Sequence, residues 1–172
     1  AGDCWIIDPV DGTTNFVHRI SQVGTSVALW RDGHVALGVV NVPMMDECFW
    51  AARGLGAFCN GKAVAVSRET ELQQCLCATG FPYDVDRKRP EVLERLRLML
   101  PATQGMRRIG AASVDLAYVA CGRLDVFYEL WLKPWDMAAG WLLVEEAGGR
   151  LTLPSEAGYV FGGEAVATNG RV

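Results

Sequence analysis

Apolar residues first recur along this chain at the spacing of strands, and past Glu69 at the spacing of strands and helices in turn. Residues 24–30 and 35–41 are strand-like runs joined by Arg31-Asp32-Gly33-His34, in which Asp-Gly is a strong hairpin signal. Ahead of them, Cys4-Trp5-Ile6-Ile7 forms a short apolar run ending at Asp8-Pro9 and is expected to be a buried strand. Runs at 47–52 and 57–59 predict further short strands, set off by Gly54, Gly56 and the Asn60-Gly61 turn, and residues 64–67 add an edge. The first part of the chain is therefore expected to be an antiparallel meander.

Beyond Glu69 the texture changes. Residues 76–79 predict a strand, and Val92, Leu93, Leu96 and Leu100 predict a helix over 91–100 that stops at Pro101. A second helix is expected over 112–121, closed by Gly122, and a third over 134–147, opened by Pro134 and closed by Gly148-Gly149. Strands at 126–130, 150–153 and 165–167 complete the alternation. The pattern predicts an α+β chain, with residues 1–68 forming the antiparallel half, residues 69–172 the α/β half, and the two making one unit.

A length of 172 residues suits one sizeable core. The formal charge of −4 offers no basic excess for nucleic acid or an anionic membrane. Local positive charge for an anionic substrate would then fall to a bound cation. The basic residues that do cluster (Arg87-Lys88-Arg89, Arg95, Arg97, Arg107, Arg108) are expected on solvated faces. Six cysteines without a CxxC or Cys/His pattern read as small buried hydrophobes in a reducing, cytoplasmic setting. No run is long and apolar enough to span a bilayer, and no signal peptide is visible. The first apolar run begins three residues in, which suggests a cut through a domain.

Two passages carry candidate chemistry. In Asp8-Pro9-Val10-Asp11-Gly12-Thr13-Thr14-Asn15-Phe16, two carboxylates stand three apart at a strand end, with Pro9 stiffening the chain between them. Clustered carboxylate and carbonyl oxygens suit a hard cation such as magnesium. Gly12 permits close backbone approach, and Thr13-Thr14 opens a helix whose N–H groups favour phosphate. The same pairs, Asp-Pro and Asp-Gly, are also ordinary turn formers. In Trp135-Asp136-Met137-Ala138-Ala139-Gly140, Asp136 falls in a first helical turn, where a cap and a ligand are both open readings. Trp135 is expected to anchor the core, and the small residues after it to permit close packing. Glu145 and Glu146 are expected to face solvent or cap, and Glu129 can hydrogen-bond a polyol hydroxyl.

These passages resemble the two signatures of the inositol monophosphatase family, Asp-Pro-Val-Asp-Gly-Thr-Thr-Asn-Phe and Trp-Asp-x-x-Ala-Gly with the later Glu-Ala-Gly-Gly. Val17-His18-Arg19, Gly54-x-Gly56-Ala57-Phe58-x-Asn60-Gly61 and Arg107-Arg108-x-Gly110 are similar to the family as well. The resemblance implies a layered αβαβα sugar-phosphatase sandwich and magnesium-dependent hydrolysis of a phosphomonoester. Two or three magnesium ions are implied, with manganese as a substitute and lithium or calcium as inhibitors. By position, Asp8 would bridge two metals and the Val10 carbonyl would join one, while Asp11 and Asp136 hold the second. Gly12 and Thr13 would contact the phosphate, and Thr13 would also position the attacking water. Gly110, Ala111, Ala112 and Glu129 would contact the sugar-like part of the substrate. His18 has no implied catalytic role and is expected to pack or hydrogen-bond. A homodimer is implied too.

The family also carries a metal-binding glutamate and helices upstream of the first signature, so an N-terminal part is expected to be missing here. Trp131 stands where a glycine is common and is expected to reshape the pocket, and Ala111 replaces a hydroxyl residue found in some members. Inositol 1-phosphate is the expected substrate. Fructose 1,6-bisphosphate, histidinol phosphate and a phosphoadenosine phosphate are rivals by the same chemistry. A folded but inactive chain is the rival by a different one.

Overall fold

The hairpin signal sets the first sheet in place. Asp32 and Gly33 both take positive φ (49° and 84°), the turn that matches the twist of paired strands. They join β2 (Gly24–Arg31) to β3 (His34–Val42). With β1 (Cys4–Asp11), β4 (Glu47–Ala52), β5 (Gly56–Cys59) and β6 (Lys62–Val64), these strands form a six-stranded sheet in which each strand pairs antiparallel with its chain neighbour. The computed structural model describes residues 2–82, 85–153 and 163–172.

The second sheet contains β7 (Leu76–Thr79), β8 (Gly105–Arg107), β9 (Val126–Leu132), β10 (Arg150–Thr152) and β11 (Gly163–Thr168), in the order β10-β11-β9-β7-β8. It is parallel where β7 meets β8 and β9. The helices are α1 (Thr13–Val17), α2 (Val85–Ala102), α3 (Ala112–Ala120) and α4 (Pro134–Glu146).

Strand periodicity decides how the layers stack. Ala78, Phe127, Ala165 and Ala167 face the main core with α3 and α4, which lie between the two sheets and touch both. The alternate residues Cys75, Cys77, Val126 and Tyr128 face the other way and pack with Met99 of α2. The described residues thus stack as sheet, helix pair, sheet and outer helix, an α+β sandwich. Burying each of Phe49, Phe127, Met137, Leu142 and Leu143, all essentially inaccessible, is worth about 1.5–3 kcal/mol.

The small residues of α4 act as expected. A Cβ on Gly140 would stand 2.5 Å from Leu116 Cβ, and one on Gly38 of β3 would stand 2.8 Å from the Ala139 carbonyl oxygen. Gly140→Ala is therefore expected to overpack the α3–α4 contact at a cost of about 1–3 kcal/mol. Calorimetry should register this as a melting temperature several degrees lower. Unchanged melting would show that the two helices separate without penalty.

Several expectations need correction. Only Ile6 of the first apolar run is buried, while Trp5 and Ile7 are 58% and 52% exposed on the opposite face of β1. The helix expected over 91–100 runs from Val85 to Ala102 with Pro90 and Pro101 inside it. Its first turns are polar and exposed, so apolar spacing could not mark them. Its end is made by Thr103, whose N–H and hydroxyl both donate to the Met99 carbonyl. The edge expected at 64–67 is instead Lys62–Val64, because Val66 leaves the sheet to donate to the Ala147 carbonyl. β8, three residues long, carried no sequence signal.

The cysteines divide. Cys75 and Cys77 are buried as expected, and burial pushes their thiols up to about 11 and about 12, which makes them inert. Cys4 is exposed and the other three are intermediate. Glu146 accepts from the Gly54 and Gly56 N–H groups, and Glu145 pairs with Arg53 and Trp141, so both carboxylates tie the β4–β5 turn to α4. His18 sits exposed after α1 rather than packed. Among the described residues no helix is long and apolar enough to cross a membrane.

Candidate metal and phosphate site

In a regular strand, residues three apart point to opposite faces. Asp8 and Asp11 escape that rule through a bulge. Asp8 pairs with Ser26 and Asp11 with Gly24, so β1 spends three steps where β2 spends two. The extra residue restores parity and brings both carboxylates to one side. Pro9, which cannot donate to the ladder, sits in that bulge, and its carbonyl accepts from the Thr25 hydroxyl. The Val10 N–H donates to Asp8 Oδ1 at 3.0 Å.

Asp136 arrives from the start of α4. The Ser26 hydroxyl donates to the Trp135 carbonyl at 3.0 Å, pinning the helix start beside the β2 residue that pairs with Asp8. The Lys133 N–H donates to Asp136 Oδ2 at 2.6 Å, so this aspartate does cap its helix. It also converges with the other two: Asp8, Asp11 and Asp136 each offer a carboxylate oxygen, all within 4.8 Å of one another.

Asp11 is held from a third direction. The N–H and hydroxyl of Ser113 donate to its Oδ2 at 2.8 and 2.6 Å. Ser113 lies in the first turn of α3, whose own N-cap, Ala111, makes no side-chain cap. Asp11 therefore caps α3 from across the fold. The sequence signals Ser113 only indirectly: an N-cap position filled by Ala111 has no side-chain acceptor, so the first turn of α3 needs a remote one.

Gly12 requires glycine twice over. Its φ is 81°, and a Cβ there would meet the Gln22 carbonyl oxygen at 2.9 Å and Ala111 Cβ at 3.1 Å. Asn15, buried, donates to the carbonyls of Gln22 and Ile109 and so locks α1 to the Gly110 loop.

The result is a cleft of about 520 Å³ lined by Asp8, Val10, Asp11, Gly12, Thr13, Glu129 and Asp136 among others. An adjoining cleft adds Gly80, Arg108, Gly110 and Ala112. Ala111 lines neither; it is 2% exposed, packed against Gly12. Trp135, expected in the core, is 45% exposed on the cleft. Lys88 and Arg108 are also cleft residues and not purely solvated faces. The Lys88 ammonium stands 3.9 Å over the Trp131 ring, and Arg108 stands over Phe81. Trp131 has φ 63°, the left-handed conformation that glycine adopts without strain. Phe81 and Pro82 complete a wall that apolar spacing could not have placed.

Electrostatics mark the cluster as deficient in positive charge. Burial raises Asp11 above its usual range, opposed by the Ser113 bonds. Burial pushes Asp136 up to about 6, with Asp11 and Asp8 adding to the rise and the Lys133 N–H opposing it. Burial pushes Glu129 up to about 8, helped by Asp136 and Asp11 and opposed by Arg108. Three converging carboxylates, two of them raised by burial and by neighbouring negative charge, with oxygen as the sole donor type, fit a hard divalent cation.

The inositol monophosphatase family model matches residues 1–171. The Nus factor SuhB of Pseudomonas aeruginosa is 47% identical over 151 residues, covering 86% of this chain and 55% of that protein. The inositol-1-monophosphatase of Rhizobium meliloti is 45% identical over 170 residues, covering 95% of this chain and 64% of that protein. Among solved structures, the inositol monophosphatase from Anabaena (Nostoc) sp. PCC 7120 superposes with a TM-score of 0.93 at 40% identity, over 99% of this chain and 68% of that one. The chain spans 65% or less of the length of the curated relatives it matches. With both signatures folded into one cleft and the family model covering nearly every residue, the chain belongs to the inositol monophosphatase family.

Proposed function

We propose that this cleft hydrolyses a phosphomonoester in the presence of magnesium, with inositol 1-phosphate as substrate. The observation that carries the reading is the convergence of Asp8, Asp11 and Asp136 within reach of shared cations. Asp8, the Val10 carbonyl, Asp11 and Asp136 would hold two or three ions. Such ions, when bound, neutralise the phosphoryl charge and lower the pKa of water.

The protein's own groups then position the substrate. The backbone at Gly12 and Thr13 meets the phosphate at the start of α1, and the Thr13 hydroxyl orients the attacking water. Attack on phosphorus in line with the ester oxygen breaks the P–O bond and releases the alcohol and inorganic phosphate. A loose transition state needs positioning more than covalent help, so no protein nucleophile is required. Glu129, with Gly110 and Ala112 nearby, receives the hydroxyls of the leaving alcohol. The same reading makes a homodimer, lithium inhibition and a cytoplasmic location expected properties.

Phosphate release from a panel of inositol 1-phosphate, fructose 1,6-bisphosphate, histidinol phosphate and phosphoadenosine phosphate tests the proposal. Magnesium-dependent release is expected, with the highest kcat/KM on inositol 1-phosphate. Equal or better turnover of another member would transfer the assignment to it. A second reading follows from the Pseudomonas relative being named a Nus factor: a folded chain that serves a partner without catalysis. Magnesium binding by calorimetry with no turnover on any substrate would favour that reading.

A further inference from the structure

We infer that Gly80 is a positioning residue for Glu129, because the absence of a side chain at position 80 leaves the space the Glu129 carboxyl occupies. This rests on the reading of Glu129 as the contact to substrate hydroxyls. β7 and β9 are parallel neighbours with Thr79 paired to Tyr128, so Gly80, the residue just past the end of β7, follows the strand toward Glu129 of β9. A Cβ built on Gly80 would fall on the carboxyl carbon and both oxygens of Glu129, closer than atoms approach in any real contact.

Backbone conformation does not demand this glycine. Gly80 lies outside the left-handed region, unlike Gly12 or Gly110, so any L-residue fits its φ. Space alone excludes a side chain. The obstructing atoms are the far end of a flexible side chain, so in Gly80→Ala the carboxyl swings and the backbone stays. The carboxyl therefore leaves the position from which it meets a polyol. Gly80 itself lines the adjoining cleft beside Glu129, so the displacement happens within the substrate's space.

A double-mutant cycle in magnesium tests this, with inositol 1-phosphate and the hydroxyl-free p-nitrophenyl phosphate as substrates. Gly80→Ala is expected to raise KM for inositol 1-phosphate by about tenfold relative to KM for p-nitrophenyl phosphate, the upper end of the cost of one misplaced hydrogen bond. Glu129→Ala should shift the same ratio by a similar factor, and adding Gly80→Ala to it should change nothing further. Effects that multiply, or a silent Gly80→Ala beside a damaging Glu129→Ala, would overturn the positioning role alone. A silent Glu129→Ala would instead remove the substrate contact on which it rests. If Gly80→Ala melts early, the double variant, with the space vacated, must recover wild-type melting; failure to recover would also count against the proposal.

Discussion

Asp136→Asn is expected to lower magnesium-dependent turnover by about 10²-fold or more, the scale on which loss of one preorganised electrostatic group acts, while the metal-free protein keeps its fold. The two halves of that expectation have separate causes. The fold survives because asparagine retains a side-chain oxygen that can accept from the Lys133 N–H, the bond that caps α4. Turnover falls because the variant removes one of three carboxylates that converge within 4.8 Å, and with it a unit of negative charge a divalent cation needs. Circular dichroism and melting without metal should match wild type, and magnesium titration by calorimetry should show a weakened site. Near-normal turnover would remove Asp136 from the proposed site. Early melting would show that its capping role dominates.

The second large effect concerns pH. Stability of the metal-free protein is expected to fall as pH rises from about 4 to about 8, and magnesium to restore most at the alkaline end. The sign follows from the direction of the shifts. Asp136 rises from 3.8 to about 6, and Glu129 from 4.5 to about 8, so the folded state holds protons the unfolded chain has released. That contribution is complete below the unfolded values and is lost as pH climbs through the folded ones. Burial is the leading cause at both residues, and crowding by neighbouring carboxylates adds to it. A cation held by Asp8, Asp11 and Asp136 offsets that repulsion and competes with the proton for the Asp136 carboxylate. At magnesium about 100-fold above its Kd, stabilisation of about 2.7 kcal/mol is expected at pH 8, read as a melting shift of several degrees. Thermal scans with and without magnesium at pH 5.5 and pH 8 decide the matter. A shift of the same size at both pH values would sink the idea that ionisation of this cluster controls metal binding.

How much of the site was legible beforehand depended on whether its cause was local. Asp8, Asp11 and Asp136 stood out because carboxylates bracketing Pro9, and one in a first helical turn, are visible in a few consecutive letters. A tryptophan's bulk argues for the core, whereas the Ser26 bond to the Trp135 carbonyl fixes the backbone and leaves the ring over the cleft. Lys88 belonged to a basic run of ordinary appearance, and only the approach of α2 to Trp131 gives it a place. Ser113 could be inferred no further than a helix start lacking its own cap. In the fold, strands near Gly and Asp-Gly turns were set to within a residue or two, while α2 was cut short because its first turns face water and carry no apolar stripe.

By itself the order of residues determined the element types, the meander-then-alternation plan and the identity of the oxygen-bearing groups, since hydrophobic period, turn chemistry and motif spacing act within a few residues. Only the tertiary structure decided which carboxylates share one point, that a bulge turns Asp8 and Asp11 to the same side, and that Asp11 caps a helix about a hundred residues away. It also decided that an unremarkable glycine makes room for Glu129. These outcomes depend on packing between distant segments, where the deciding quantities are register and the space left between atoms, and no local pattern encodes either.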